Sequence, residues 1–494
     1  MTIPLLNEIS KPGKRGSSLP ECDVPQTSLG EIIPGKYLRA EPPELPEVSE
    51  PELVRHFTNI SATNHHVDKD LYPLGSCTMK YNPKINDAIA GMENFAELHP
   101  EQPVETIQGA LQLYYELEQI LSVITGMEAF TLQPAAGSHG ELTGVLLMQK
   151  YHRMKGNRRK YIIIPDSAHG TNPASVAMGG YETLEVQSNE AGQVDYRDLE
   201  SILNEDVAGM MLTNPNTLGL FEKDILRITE LVHSVDALMY MDGANMNALL
   251  GIARPADMGF DITHLNLHKT FSTPHGGGGP GSGPIGVTEA LEPYLPMPVI
   301  RYDEENDFYD FDWDRPDSIG KLHSYFGNYG MMVRAYTYIR MLGPEGLREI
   351  SKNAIINANY LKNRLRETFE VAFPQHCMHE FVLTGKKQKE RGVQTLDIAK
   401  RLLDFGFHAP TIYFPLIVHE ALMIEPTETE TLDGLDDFCD AMIAIAKEAA
   451  DDPEKVTSAP VSTPVGRLNE GKAARELNVC CRVAWPDVEE DDGD

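Results

Sequence analysis

Four short apolar runs each end in residues able to do chemistry. Tyr161 to Ile164 leads into Pro165-Asp-Ser-Ala-His169-Gly-Thr171-Asn172-Pro173, and Gly209 to Leu212 into Thr213-Asn214-Pro215-Asn216-Thr217. Ala237 to Met241 leads into Asp242-Gly-Ala244, and Ile262 to Leu267 into His268-Lys269-Thr270. In open α/β sheets ligands bind beyond the carboxyl ends of the strands, so one pocket can collect all four sets. A lysine after one strand, a carboxylate ending another and an imidazole after a third are the parts that hold an aromatic aldehyde, pyridoxal 5'-phosphate, as a Schiff base. Lys269 forms that bond, Asp242 keeps the pyridine nitrogen protonated so that the ring becomes an electron sink, and His169 stacks on the ring. Ala244 is small enough to pack on the opposite face.

The phosphate needs a cradle. Gln133-Pro-Ala-Ala-Gly137-Ser138-His139-Gly140-Glu141 places small residues just before a helical stretch, where free N–H groups and the helix dipole favour an anion. By itself such a turn reads as ordinary capping; beside Lys269 and Asp242 it reads as the phosphate site. Two competing chemistries are disfavoured. His264, His268 and His275 lack HExxH spacing and any cysteine pair, so no metal is expected. The run HGGGGPGSGPIG lacks the GxxxxGK[ST] order of a nucleotide loop.

The elements that must position these residues are legible in outline. The four runs are too short for helices and nearly all apolar, as buried strands of a parallel sheet are. From about residue 100 they alternate with helical stretches, which gives an α/β class with a mainly parallel sheet. A long helical region runs through Met331 and Asn357 to Arg366, and a second domain begins near 345–370. That domain holds a helix at Thr395 to Phe405, a strand at Ala421 to Glu425 and a helix at Leu435 to Ala449. Residues 1–60 carry nine of the 34 prolines and read as an extended arm without long helices. The expected division is 1–60 arm, 61–345 cofactor-binding domain, 346–465 smaller domain and 466–494 an extension with an acidic, solvated tail.

The 494 residues include 74 Asp and Glu against 42 Lys and Arg, a net charge of -32 with His neutral. Such a surface repels phosphate backbones and anionic lipid, so neither nucleic acid nor membrane is an expected partner. Six cysteines, at 22, 77, 377, 439, 480 and 481, form no CxxC pair and are too sparse for a disulfide scaffold, which fits a reducing cytoplasm. The first residues carry Glu8 and no continuous apolar segment, so no targeting segment is read.

The segment HLNLHKTFSTPHGGGGPGSGPIGV, residues 264–287, resembles the lysine segment of the glycine cleavage system P-protein family. LYPLGSCTMKYNP (71–83), QPAAGSHGE, DSAHGTNPAS, TNPNTLG, MDGANMNAL and GFHAPTIYFP resemble that family's other landmarks in order, over roughly residues 50–460. The single-polypeptide form of the family has two homologous halves, whereas this chain offers one copy, with the lysine. It therefore resembles the second subunit of the split form, which implies a separate subunit 1 and a heterotetramer of two copies of each.

The resemblance further implies a fold type I pyridoxal phosphate enzyme with a large α/β domain and a smaller C-terminal α+β domain. It implies that glycine loses CO2 and that the aminomethyl group passes to the lipoyl arm of the lipoylated H-protein. It carries over Lys269, Asp242, His169 and Ala244, and by position Gly137 and Ser138 for phosphate, with Thr171, Asn214 and His268 as cofactor or substrate contacts. Ser76, Cys77 and Thr78 could close over the site, Cys77 being read as a packed small residue rather than a redox group. Cys480 and Cys481 are read as free thiols. Two alternatives stay open. One is another fold type I enzyme, an amino-acid decarboxylase or one like serine hydroxymethyltransferase, against which the glycine-rich segment speaks. The other is a silent scaffold subunit, against which the intact Lys269 and Asp242 speak.

Overall fold

The computed structural model describes residues 3–41, 43–275 and 281–477. Cys480, Cys481, the acidic tail and glycines 276–279 of the glycine-rich segment lie outside them. Seven strands form the principal sheet: β1 (Ala129–Thr131), β2 (Tyr161–Pro165), β3 (Glu182–Val186), β4 (Val207–Thr213), β5 (Leu238–Gly243), β6 (Ile262–Leu265) and β7 (Ile285–Val287). Their order is β1-β7-β6-β5-β4-β2-β3. The five strands from β6 to β3 are parallel, and β7 runs antiparallel to both of its neighbours. All four runs expected to be strands are strands, and they occupy the centre of the sheet.

Burial explains why. β5 is buried along its whole length and β4 along all but its last residue, so helices must cover both faces. Gln108–Thr125 supplies Leu117 and Leu121 to one apolar cluster, and Gly137–Met154 supplies Val145, Leu147 and Met148 to the other. A separate hairpin pairs β8 (Val299–Asp303) with β9 (Phe308–Asp312).

A four-stranded antiparallel sheet follows, made of β10 (Glu370–Val371), β11 (Phe381–Thr384), β12 (Thr411–Ile412) and β13 (Ala421–Ile424) in the order β10-β11-β13-β12. Helices Thr395–Asp404 and Leu432–Asp451 pack on it through a core of its own, which includes Phe381, Leu422, Ile398 and Phe438. The long helical region joins the two cores. It spans Tyr329–Leu365 and breaks at Gly343, whose φ of 62° lies where a side chain is strained, immediately before Pro344.

Residues 50–61 depart from the expectation of an arm without long helices, for Glu50–Ser61 is a helix of 12 residues. Pro51 sits in its first turn, where no N–H is needed, and Ser49 and Glu52 close a capping box before it. Ahead of this helix only short turns of helix interrupt a largely exposed segment. Among the described residues no helix is long and apolar enough to cross a membrane.

Candidate active site

The carboxyl ends of β2, β4, β5 and β6 open into one cavity of about 250 Å³. Lys269, Asp242, His169, Ala244, Gly137, Ser138, Thr171 and His268 all line it. Asn214 does not. Side chains alternate at the end of a strand, and here Thr213 and Pro215 take the cavity side. The Asn214 carboxamide turns away, accepting the Glu222 amide at 2.9 Å and reaching Met258 Sδ at 3.6 Å. The expected contact from Asn214 is therefore corrected to its neighbours.

Asp242 forms the floor. Burial would raise its carboxyl, but His264, Lys269, the Ala244 amide and Asn172 outweigh that cost and hold it below the usual carboxylate range. His264 Nε2 lies 3.4 Å from Oδ1, and its other nitrogen is fixed by Tyr240 Oη at 2.7 Å. The Ala244 N–H donates to Oδ1 at 3.1 Å and Asn172 Nδ2 to Oδ2 at 3.2 Å. A depressed carboxyl keeps its charge above its ordinary range and loses it only as pH falls through the lowered value. His264→Gln removes the largest opposing influence, so Asp242 is expected to protonate at higher pH. The acid limb of the kcat profile then moves toward neutrality; an unmoved limb would assign it to another group.

Lys269 Nζ donates to the Ser76 carbonyl at 2.7 Å. That carbonyl belongs to the segment 71–80, which crosses onto the second sheet through a Leu74–Ile424 bridge and a 2.8 Å bond from Thr411 Oγ1 to the Gly75 carbonyl. Lys80 anchors the segment's end, its buried ammonium donating to Glu428 at 2.7 Å and to the Thr270 carbonyl at 2.6 Å. Burial pushes the Cys77 thiol up more than Lys269 lowers it, consistent with a packed thiol and not a reactive one.

His169 Nδ1 pairs with Thr171 Oγ1 at 3.0 Å, and Thr171 donates in turn to Glu141 at 2.8 Å. His268 is held neutral: burial, followed by His275, Lys269 and His264, brings it down to about 3. Its Nδ1 accepts the Ser282 N–H at 3.4 Å.

The cradle fits a phosphate. Gly137–Met154 begins at the cavity, so its first-turn amides lack partners within the helix. A Cβ on Gly137 would fall 2.5 Å from Asn266 Oδ1, so any larger residue there must push the Asn266 carboxamide off the cavity wall. Asn266 Oδ1 and Thr213 Oγ1 are buried at the cavity wall without a protein partner, as groups awaiting a ligand would be. Gly137→Ala is expected to raise the dissociation constant for pyridoxal phosphate about tenfold or more, measured by titrating cofactor-free protein. Unchanged affinity would move the phosphate elsewhere.

Several site residues carry no signal in the sequence reading. Glu141 lies three residues beyond Ser138, within reach of helical spacing, whereas Asn172, next to Thr171, is off that face and shows its role only through its bond to Asp242. His379 and Glu380, which also line the cavity, precede β11, and Glu425 follows β13, with nothing local to connect them to Lys269.

An amine, an ionised carboxylate and a helix start gathered at the carboxyl edge of such a sheet define a pyridoxal phosphate enzyme of fold type I. A glycine cleavage system P-protein model matches residues 26–307, and a model of the C-terminal domain of glycine dehydrogenase matches 350–462. A probable glycine dehydrogenase (decarboxylating) subunit 2 of Chlorobium phaeobacteroides is 61% identical over 97% of this chain and 99% of its own length. One of Shouchella clausii is 56% identical over 96% of each. The inhibitor-bound crystal structure of a glycine decarboxylase (P-protein) of the glycine cleavage system shares the fold, with a TM-score of 0.70 at 22% identity over 84% of this chain and 95% of that one. This chain belongs to the glycine cleavage system P-protein family.

Proposed function

We propose that this chain is the lysine-bearing subunit of a two-subunit P-protein. It decarboxylates glycine and passes the aminomethyl group to the lipoyl arm of the H-protein. The reading includes a subunit 1 without the lysine, a heterotetramer of two copies of each, and a cytoplasmic location. It also keeps residues 61–345 as the cofactor-binding domain and 346–465 as the smaller one. The observation that carries it is Lys269 and Asp242 facing one cavity in a chain whose relatives are named second subunits. Intact Lys269 and Asp242 speak against a silent scaffold.

Bound here, pyridoxal phosphate supplies an electron sink for the pair left behind when a carboxyl group departs as CO2. The residues do the rest. Asp242 holds a proton on the ring nitrogen, Ser138 and the first-turn amides hold the phosphate, and Lys269 is the amine that ties down the aldehyde. His169, steadied by Thr171, covers the ring, and Ala244 leaves room beneath it.

The test uses glycine labelled at its α-carbon, together with the cofactor, a candidate subunit 1 and oxidised lipoylated H-protein. Label is expected on the H-protein as an added aminomethyl mass, and only when both subunits are present. A fully loaded, assembled complex that transfers none would refute the reading.

A further inference from the structure

The transfer consumes one proton. Glycine enters as a zwitterion and loses neutral CO2. The electron pair left on its α-carbon forms a bond to one sulfur of the disulfide. The S–S bond breaks, its electrons pass to the second sulfur, and that sulfur leaves as a thiolate that must be protonated to reach its stable form near neutral pH.

The cavity wall that Glu380 and His379 contribute holds a candidate source. Glu380 lines the cavity at 3% exposure, and Glu425 is fully buried behind it. One carboxylate oxygen from each and one nitrogen of His379 lie within 4.8 Å of one another. Their hydrogen bonds are unequal. Glu425 accepts from the Thr78 N–H at 3.0 Å, from Thr78 Oγ1 at 2.8 Å and from Asn245 Nδ2 at 2.8 Å. Among the described residues Glu380 accepts only from the Ser76 N–H, at 2.8 Å, and His379 Nε2 stands off at 3.7 Å. Burial pushes both carboxyls up and two this close disfavour each other's charge, so the one that accepts more hydrogen bonds, Glu425, keeps its charge more readily. We propose that Glu380 is the acid that delivers the proton to the second sulfur as the disulfide opens.

The surroundings favour a proton on Glu380. Burial, then the Glu425 charge, pushes its carboxyl well above the usual range, and the Ser76 amide and Lys269 only partly offset this. His379 is brought down to about 3, by burial first and Lys269 second, so it is neutral near pH 7 and cannot be the donor. Burial first, with Lys269 opposing and the Glu425 and Glu380 charges adding, pushes the Cys77 thiol up. After transfer, Glu380 is left as a carboxylate and regains its proton from solvent. Ser76 and Thr78, held at φ of 67° and 53°, aim their amides at the two carboxyls and so fix which one is the acid.

The proposal rests on the transfer reaction above, so its test has two readouts. The first is infrared difference spectroscopy of the protein alone at neutral pH. Glu118 is also pushed well up by burial, so the wild type is expected to show several protonated-carboxyl bands, of which one deuterium-sensitive band is expected to be missing from Glu380→Gln. The second is aminomethyl transfer by the assembled enzyme. It should fall roughly 10²-fold or more in Glu380→Gln and recover in part in Glu380→Asp, with pyridoxal phosphate loading unchanged. A Glu380→Gln spectrum that has lost no such band, or a Glu380→Gln enzyme that transfers at the normal rate, overturns the proposal and leaves the function standing. A wild type that shows the band but never transfers overturns both the function and the acid's role. Should Glu380→Gln fail to fold, the shift of that band in Glu380→Asp and the Glu380→Asp transfer rate still decide.

Discussion

Lys269→Ala is expected to leave a folded protein that shows neither the visible absorbance of lysine-bound cofactor nor measurable glycine decarboxylation. The fold survives because Lys269 belongs to neither apolar core; its ammonium makes one bond, to the Ser76 carbonyl, at a cavity open to water. Activity is not expected to survive, because among the described residues no other lysine lines the cavity. Lys80, close in the fold, is buried and bound to Glu428, Thr270 and Tyr338. A loss of roughly 10³-fold or more is expected, read from glycine turnover, with circular dichroism reporting the retained fold. A variant that kept turnover would remove Lys269 from the chemistry.

Asp242→Asn separates binding from catalysis. Asparagine keeps the shape and can still accept from the Ala244 N–H, but it has no charge with which to hold a proton on the cofactor ring. Cofactor binding therefore persists, and turnover is expected to drop roughly 10²–10³-fold, the scale of losing one preorganised electrostatic contact. The measurement is a cofactor titration beside steady-state rates. Equal losses in both would mean that Asp242 mainly anchors the cofactor.

The central strands were legible because burial on both faces writes an unbroken apolar run, as in Met210, Met211 and Leu212. β3 was not, since Glu182, Thr183 and Glu185 are exposed and only Val186 is fully buried. β1 and β7 are three residues each and leave no periodicity to read. The helix Glu50–Ser61 lies in a proline-rich stretch and is hidden there because Pro51 falls in its first turn, where proline is compatible with a helix.

The site divides in the same way. Lys269, Asp242 and His169 stand just past apolar runs, where a sequence window finds them. Asn214 also stood there, and a single step of strand alternation turned it away. The bonds from Ser76 to Glu380 and from Thr78 to Glu425 join residues 304 and 347 positions apart, so only the folded chain brings the second sheet's carboxyls to Lys269.

The most direct measurement is exchange of labelled bicarbonate into the carboxyl group of glycine, which reports reversible cleavage of the one bond at issue. With pyridoxal phosphate, lipoylated H-protein and a candidate subunit 1, the label is expected to enter glycine, and to do so only when both subunits are present. No exchange in a complex shown to assemble and to hold its cofactor would contradict the assignment of glycine decarboxylation to this site.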